Sequence, residues 1–565
     1  MRFARIPNPK PITALAGNFT RIQFIGAILF CLTLILGARL AQLHISDTEF
    51  LRKQGNARTL HTVEIPSYRG MITDRRGSPL AVSTPVVSVW IHPKHFAPSK
   101  EGLQQLSQLL NIPSKQILEK KMAYANKSFA YLQRNVTPDL ANKIRDLGIL
   151  GLGFKREFRR YYPAGKEVAQ LIGFTNIDDQ GQTGLELAYD SILKAQPGKK
   201  RVLEDRAGRW AEDVENIQVP KAGKDLTLSI DLRIQALALR ELNEAITIHQ
   251  AKSATVVMLD TTTGEVLCMV SAPSFNPNNW QDRSGEFMRN RALTDQYEPG
   301  STMKVLSIAS ALKNGSVSAN TEIDTTPGYY FIGKNKIMDK SNHGVLNLSQ
   351  ILATSSNVGI SKIALAQPSK LLIDTYREFG LGTDKYTLFP GESSGVLPQP
   401  PKDQFVHATL AFGYGLAVTP LQLVNAYAIL ANRGIKHPIS LEKVEDPTLL
   451  ASERILKKEV AQNVLNILIS ATQTGLGKSA NIPGYQTAGK TGTTRVVGPE
   501  GYDPHRHIAM FAGITPITHP RLATVVIIEE PNEKIYYGGL VAAPIYARIV
   551  GGALHMLNVP PDNAA

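Results

Sequence analysis

The sequence predicts a multi-domain α/β protein with three parts: a single N-terminal transmembrane helix, an α+β middle region, and a C-terminal domain with an antiparallel sheet, helices and an all-helical lobe. Three observations predict it. Ile22 through Ala38 carries no charge, and extended through Arg39 to Leu43 the segment reaches 22 residues, enough to cross ~30 Å of hydrocarbon as a helix. Residues 44–222 alternate short strand and helix signals without catalytic punctuation. Residues 223–560 place apolar strand runs at both ends of a helical middle, the pattern of a sheet backed by helices. At ~150 residues per domain, 565 residues allow two to four units.

Residues 1–21 hold Arg2, Arg5, Lys10 and Arg21 and no acidic residue, a bias that places this tail in the cytoplasm and everything from His44 outside. A buried core helix, a cleavable signal and an anchor compete for residues 22–43. The apolar run is long for a signal and no Ala-x-Ala site follows, so an uncleaved anchor is expected. Arg39 stands near the outer end, where its side chain snorkels to the interface.

Lys+Arg (62) exceed Asp+Glu (48) by 14. The excess is spread along the chain rather than gathered into a basic arm, which argues against nucleic acid as a partner. It suits an anionic bilayer, a carboxylate-bearing polymer or an ordinary solvated surface. Two cysteines, Cys31 in the apolar segment and Cys268 in a strand-like run, support no disulfide framework. No Cys-His cluster has zinc spacing, and His505 and His507 flank a polar loop, so neither metal nor cofactor is expected.

In the middle region, Tyr68 to Ala81 reads as strand, turn and strand, with Gly77 at the turn. Helical patterns cover Glu101–Leu110 and Pro138–Leu147, Asp205–Arg209 holds paired charges, and the whole reads as a spacer and docking module. In the C-terminal domain, Asp231–Ile248 is an amphipathic helix. Ala254–Asp260 and Glu265–Ser271 form a hairpin through Thr261-Thr262-Thr263-Gly264. Residues 287–480 are mostly helical; strands follow at Thr487–Thr494, Ala509–Ile514 and Leu522–Glu529, then a helix over Ala543–Leu557 and a tail, 561–565.

The chemistry concentrates in three short motifs. Ser301-Thr302-Met303-Lys304 follows Pro299-Gly300 and leads into Val305, Ile308, Ala309 and Leu312, a helix closing at Asn314-Gly315. Lys304 lies one turn on from Ser301, where its amine reaches the serine oxygen. The spacing alone is weak, since Ser191 to Lys194 repeats it and Ser274 to Asn276 repeats the second motif. Order carries the weight: Ser355-Ser356-Asn357 begins 54 residues after Ser301, and Lys490-Thr491-Gly492-Thr493 begins 135 residues after Ser355. A serine hydroxyl needs a base to become a nucleophile. Lys304 is the candidate base, made neutral by burial and by the like charge of Lys490. Ser355 is the candidate proton relay, Asn357 the group pinning a substrate backbone, and Lys490 an electrostatic aid. Thr491 and Thr493 offer hydroxyls to a terminal carboxylate, while Gly492 lets a peptide approach an edge strand. The backbone N–H groups of Ser301 and Thr493 are the expected oxyanion hole. The reaction class is acyl transfer through a serine ester.

This motif set, with Arg69-Gly70, Asp74-Arg75, Tyr162-Pro163, Gly173-Phe174-Thr175-Asn176, Gly184-Leu185-Glu186, Asn290-Arg291-Ala292, Tyr297-Glu298, Gly413-Tyr414-Gly415-Leu416, Thr419 to Gln422 and Tyr536-Tyr537-Gly538-Gly539, resembles the division-type class B penicillin-binding proteins. These are monofunctional peptidoglycan transpeptidases. The resemblance implies a penicillin-binding domain on an elongated pedestal in the inner membrane, with its catalytic part periplasmic. The implied substrates are stem peptides ending in D-Ala-D-Ala on lipid-linked nascent glycan, and β-lactams are implied covalent inhibitors. Implied partners are an FtsW-type SEDS glycan polymerase and other divisome proteins at the septum. Class A β-lactamases have Asp where Ser356 stands and a separate glutamate for deacylation; the absence of an assignable equivalent fits a transferase that excludes water. An elongation-type enzyme, a hydrolase of the same superfamily and a non-catalytic β-lactam-binding scaffold are the alternatives.

Overall fold

The uncharged run near the N-terminus forms one helix, α1 (Ala16–Ala41), continued by a wider turn over Gln42–Ser46. In the computed structural model, residues 16–51, 53, 60–204, 210–283, 285–383, 386–498 and 500–562 are described. Arg2, Arg5, Lys10, the paired charges of 205–209 and the last three residues of the tail lie outside them. Within Arg21–Ser46 an 18-residue window has a mean hydropathy of 2.2 and none of that window is buried in protein. Its Ile22, Phe24, Leu29 and Phe30 side chains are exposed, as a bilayer-spanning helix requires. The same compact unit, residues 1–66 with 197–221, contains an antiparallel three-stranded sheet of Leu60–Ile65, Gly198–Glu204 and Trp210–Gln218, in that order.

The second unit comprises residues 67–196 and 222–565. Its first part is built on the long strand Pro79–Ile91, which pairs with Ala130–Val136, with Leu152–Tyr161 and with the short strand Ile72–Thr73. The turn between Ile72–Thr73 and Pro79 has Gly77 at φ +86°. Asp74 fastens it by accepting hydrogen bonds from the Arg76 and Ser78 N–H groups at 2.9 and 2.7 Å. Beneath this sheet, the buried Glu186 carboxylate accepts from Arg69 Nε and Arg160 Nε, both at 2.6 Å, while Arg69 Nη1 reaches Asp190 at 2.6 Å. Three of these four charges are buried, where an ion without its partner is strongly destabilising.

The C-terminal part is organised on a five-stranded antiparallel sheet. Its strands are β1 (Ser253–Asp260), β2 (Val266–Ala272), β3 (Ala488–Gly498), β4 (Gly501–Thr515) and β5 (Leu522–Glu529), in the spatial order β2-β1-β5-β4-β3. Every residue of β1 and β2 is buried, because both faces of the sheet are covered and the strands read as continuous apolar runs. One face carries α2 (Leu232–His249) and the C-terminal helix Gly538–Met556, with Ile234, Leu242, Val256, Phe511, Val541 and Ile545 in a common core. The other face carries the helical lobe, which includes α3 (Lys304–Lys313), α4 (Leu348–Thr354), α5 (Asn357–Leu365), α6 (Pro420–Ala431) and α7 (Lys458–Thr474); the C-terminal helix is α8. β3 is an edge strand.

Several boundaries differ from the sequence reading: the strand expected to end at Ala81 runs on to Ile91 and that expected to end at Thr494 runs on to Gly498, and two further differences bear on the site. α8 starts at Gly538, five residues ahead of the expected Ala543, with Pro544 inside it. The helix can begin there because Gly538 packs directly on β3, where a Cβ would lie 2.4 Å from the Gly492 oxygen. β4 starts at Gly501 instead of Ala509; the polar run Asp503 to Arg506 hides a hairpin arm that projects beyond the covered sheet. Glu186→Ala is expected to lower the stability of this first part of the second unit by ~3–5 kcal/mol, read as lost amide-exchange protection across residues 69–190 of the intact protein.

Candidate active site

The first motif is held by a turn that only glycines can make. Gly300, at φ +54°, donates its N–H to the Gly413 oxygen at 3.1 Å. Gly413 is at φ +86°, and a Cβ on it would lie 2.2 Å from the Gly300 oxygen. Gly300–Met303 forms one 3-10 turn before α3. Thr302 Oγ1 donates to the Pro299 oxygen at 2.7 Å and the buried Tyr427 hydroxyl donates to the Thr302 oxygen at 3.0 Å. Ser301 is thereby fixed at the lip of the cleft, while α3 is buried on all sides from Lys304 to Ala311.

The second motif sits at a break between two helices. α4 ends at Ser355, a non-glycine residue in the left-handed region at φ 58°, a conformation that persists only where its surroundings impose it. Ser356 caps α5, accepting from the Gly359 N–H at 2.9 Å. Asp339, which the sequence reading missed, accepts from Ser356 Oγ and the Asn357 N–H, both at 2.5 Å, and from the Val358 N–H at 3.0 Å. A carboxylate at the start of a helix satisfies otherwise unpaired N–H groups and opposes the helix dipole. No motif marked Asp339; the signal was a lone Asp ahead of a Ser-x-Asn helix start.

The Lys304 amine donates to the Ser355 oxygen at 2.5 Å, to Ser355 Oγ at 3.1 Å and to Asn357 Oδ1 at 2.7 Å. Ser355 Oγ in turn lies 3.0 Å from Ser301 Oγ. The expected direct reach from Lys304 to Ser301 is replaced by a two-step path through Ser355, since the amine is drawn toward the three acceptors at the helix break. Asn357 also differs from expectation: Oδ1 holds the lysine and Nδ2 donates to the Met338 oxygen at 3.2 Å, which leaves one amide hydrogen for a ligand. Burial pushes the Lys304 amine well below its ordinary range, the charge of Lys490 pushes it further, and Asp339 opposes them.

In the third motif, Lys490 is buried, and its amine donates to the Thr491 oxygen at 3.2 Å and to Thr491 Oγ1 at 3.4 Å. Burial, then the charge of Lys340, lowers it to about 7, so its positive charge is only partial at neutral pH. Gly492 is buried against β4, where a Cβ would lie 2.5 Å from Met510 Cγ. The Gly538 N–H donates to Thr493 Oγ1 at 3.0 Å, so α8 fixes the orientation of that hydroxyl.

Ser301, Ser355, Asn357, Thr491 and Thr493 line one cavity of about 460 Å³, with Asp339, Lys340 and Arg495. Lys304, Lys490 and Gly492 stand behind this surface. Tyr414, Tyr502, Tyr536 and Tyr537 supply aromatic walls; Tyr502 donates to Glu298 Oε1 at 3.0 Å and thereby ties the β3–β4 hairpin to the turn before Ser301. His507 stacks on Tyr536 at 3.9 Å, so it belongs to the cavity wall and not to a polar loop surface. The arrangement links the Ser301 hydroxyl, through the Ser355 hydroxyl, to a buried amine whose hold on its proton is weakened.

A lysine depressed on folding binds its proton less tightly than in the unfolded chain. The unfolded state therefore holds more protons between about pH 7 and 10.5 for Lys490, and stability rises with pH across that window. Lys490→Met is expected to remove this rise, so the urea midpoint of the wild type should gain on that of the variant between pH 7 and 10.

Residues 254–551 match the family described as penicillin binding protein transpeptidase domain, and residues 64–228 match the penicillin-binding protein dimerisation domain. The chain is 43% identical over 544 residues to the peptidoglycan D,D-transpeptidase FtsI of Escherichia coli K12, covering 95% of this chain and 92% of that protein. The transpeptidase domain of penicillin-binding protein 3 from Burkholderia pseudomallei is 33% identical with a TM-score of 0.55, covering 60% of this chain and 98% of that one. A peptidoglycan synthetase from Bifidobacterium adolescentis, 24% identical, shares the fold with a TM-score of 0.71 over 90% of this chain and 98% of its own. With its dimerisation and transpeptidase regions matched in order and its length covered almost end to end by such a relative, this chain belongs to the penicillin-binding protein transpeptidases.

Proposed function

We propose that the protein is a membrane-anchored peptidoglycan D,D-transpeptidase that cross-links stem peptides through an ester on Ser301. The observation that carries the reading is the hydrogen-bonded path Ser301 Oγ, Ser355 Oγ, Lys304 Nζ, ending on an amine whose hold on its proton is weakened by burial. With both hydroxyls turned toward the amine, the Ser301 proton passes to Ser355 while the Ser355 proton passes to Lys304. The freed Ser301 oxygen adds to the carbonyl of the penultimate D-Ala of a donor peptide. Backbone N–H groups of Ser301 and Thr493 receive the oxyanion, a contribution of about 2.7–4 kcal/mol per donor. Collapse breaks the peptide bond, and the proton returns along the same path to the leaving D-Ala amine. An acceptor amine then attacks the ester, loses its proton to the path and regenerates Ser301. Thr491 and Thr493 hold the donor's terminal carboxylate, Asn357 contributes its remaining amide hydrogen, Gly492 admits the peptide to the edge of β3, and Lys490 adds a partial positive charge.

β-Lactams are read as substitute donors whose acyl group stays on Ser301. The basic N-terminal tail supports a cytoplasmic N-terminus with the catalytic part outside the membrane, and the resemblance to division-type enzymes supports work at the septum with an FtsW-type glycan polymerase. The working division of the chain is a tail (1–21), a membrane helix (22–43), a pedestal (44–222), a transpeptidase domain (223–560) and a short end (561–565).

Membranes incubated with a fluorescent penicillin are expected to show a band that persists for hours and is absent in Ser301→Ala. Loss of label within seconds would make hydrolysis the main activity, and absence of label from folded protein would make the chain a scaffold. Ser355→Ala interrupts the proton path without touching the nucleophile, and acylation is expected to slow by about 10²–10⁴-fold. In the wild type the acylation rate should rise with pH until the Lys304 amine is fully neutral, since only the unprotonated amine accepts the proton.

A further inference from the structure

A second cavity, of about 560 Å³, opens at the far end of the sheet. Thr262 after β1, His519 and Arg521 before β5, Arg433 after α6, Arg454, and Lys458 at the start of α7 line it. Thr493 stands in the cross-sheet row of Ala509, Ile528 and Ala254, whereas this cavity adjoins the row of Asp260, Leu522 and Thr515, six residues further along β5. At ~3.3 Å per residue the two rows are about 20 Å apart, so the second cavity is not part of the acylation cleft.

Its chemistry is one-sided. Four permanent cations line it and no carboxylate does. Asp260, behind it, is taken by Arg521 at 2.7 Å, and Arg521 Nε is buried without a hydrogen-bond partner. Arg454 uses Nη1 to hold the Arg433 and Leu456 oxygens at 3.1 and 3.2 Å, which leaves its other N–H groups for a ligand. Among the described residues, the side chains of Arg433 and Lys458 have no carboxylate partner. α7 has no side chain capping its first turn, so N–H groups of a 17-residue helix add donors on this side, while Glu459 in the same turn offsets part of its dipole.

We propose that this cavity binds a phosphate- or pyrophosphate-bearing ligand, held by Arg433, Arg454, Lys458 and Arg521. Guanidinium forks pair two oxygens at a time, and a tetrahedral oxyanion presents enough oxygens to engage several forks and helix N–H groups together. A single carboxylate, with two oxygens in one plane, would leave most of these donors unmatched.

Calorimetric titration of the full chain in uncharged detergent with inorganic pyrophosphate tests the site. Saturable one-to-one binding is expected, weakened at least about tenfold in Arg433→Ser and in Lys458→Ser. It should be unchanged in Lys370→Ser, an exposed lysine elsewhere whose partner is Asp374. Displacement of pyrophosphate by detergent-dispersed phosphatidylglycerol would assign the site to a lipid headgroup, and failure to displace it to a soluble phosphate; both outcomes support an anion site. Absence of saturable binding, or equal binding in all three variants, would reduce the cavity to a solvated basic surface and overturn the proposal. Penicillin labelling of Ser301, measured on the same samples, is expected to be unaffected, which keeps this question separate from that of the acyl transfer.

Discussion

A lysine amine placed inside the protein without a carboxylate is the constraint on which the active site depends. Lys304 is fully enclosed by α3 and the helix break at Ser355, and its three acceptors are a carbonyl, a hydroxyl and an amide oxygen. All three are neutral, so they hold the amine in place without the full counter-charge that a carboxylate would supply. Asp339, whose charge opposes the depression of the amine, is engaged by two backbone N–H groups and a hydroxyl at the start of α5. The site therefore separates two roles that one ion pair would have merged. The acid builds the helix start, and the amine is left free to accept a proton.

That separation explains why the lobe and the sheet must both be in place. The α4–α5 break supplies the acceptors, α3 supplies the amine, the 3-10 turn ahead of it carries Ser301, and β3 supplies one wall of the cavity and a second depressed lysine. The glycine contact between positions 300 and 413 and the Tyr427 bond to Thr302 fix the nucleophile turn from two further directions. Removing any one of these elements leaves polar atoms buried without partners, which is the expensive way for a site to fail.

Most of the frame was legible in the sequence because its signals are local. β5 runs over Leu522–Glu529 as the apolar run indicated, and α2 begins after Asp231, whose side chain caps it. The Ser301 turn and its helix, ending at Asn314 with Gly315 at φ +72°, also follow from local chemistry. What was not legible depends on approach between distant segments. Asp339 becomes significant only when a hairpin brings it to the head of α5, 17 residues away from Ser356 along the chain. The structural part of Asn357, holding Lys304 through Oδ1 and Met338 through one hydrogen of Nδ2, arises only when those two segments are brought beside it. The early start of α8 depends on a glycine meeting β3, which no periodicity encodes.

The open edge of β3 has a consequence outside catalysis. An edge strand offers its backbone to a strand of any neighbouring molecule, which makes it a template for aggregation. The register shift between Arg495 and Val497, just past the residues that line the cleft, interrupts regular pairing there, and a bulge of this kind bends and twists a strand away from flat extension. The exposed Arg495 stands at the same point. The regular part of the edge is thus short, and beyond the bulge it is unsuited to joining a second sheet.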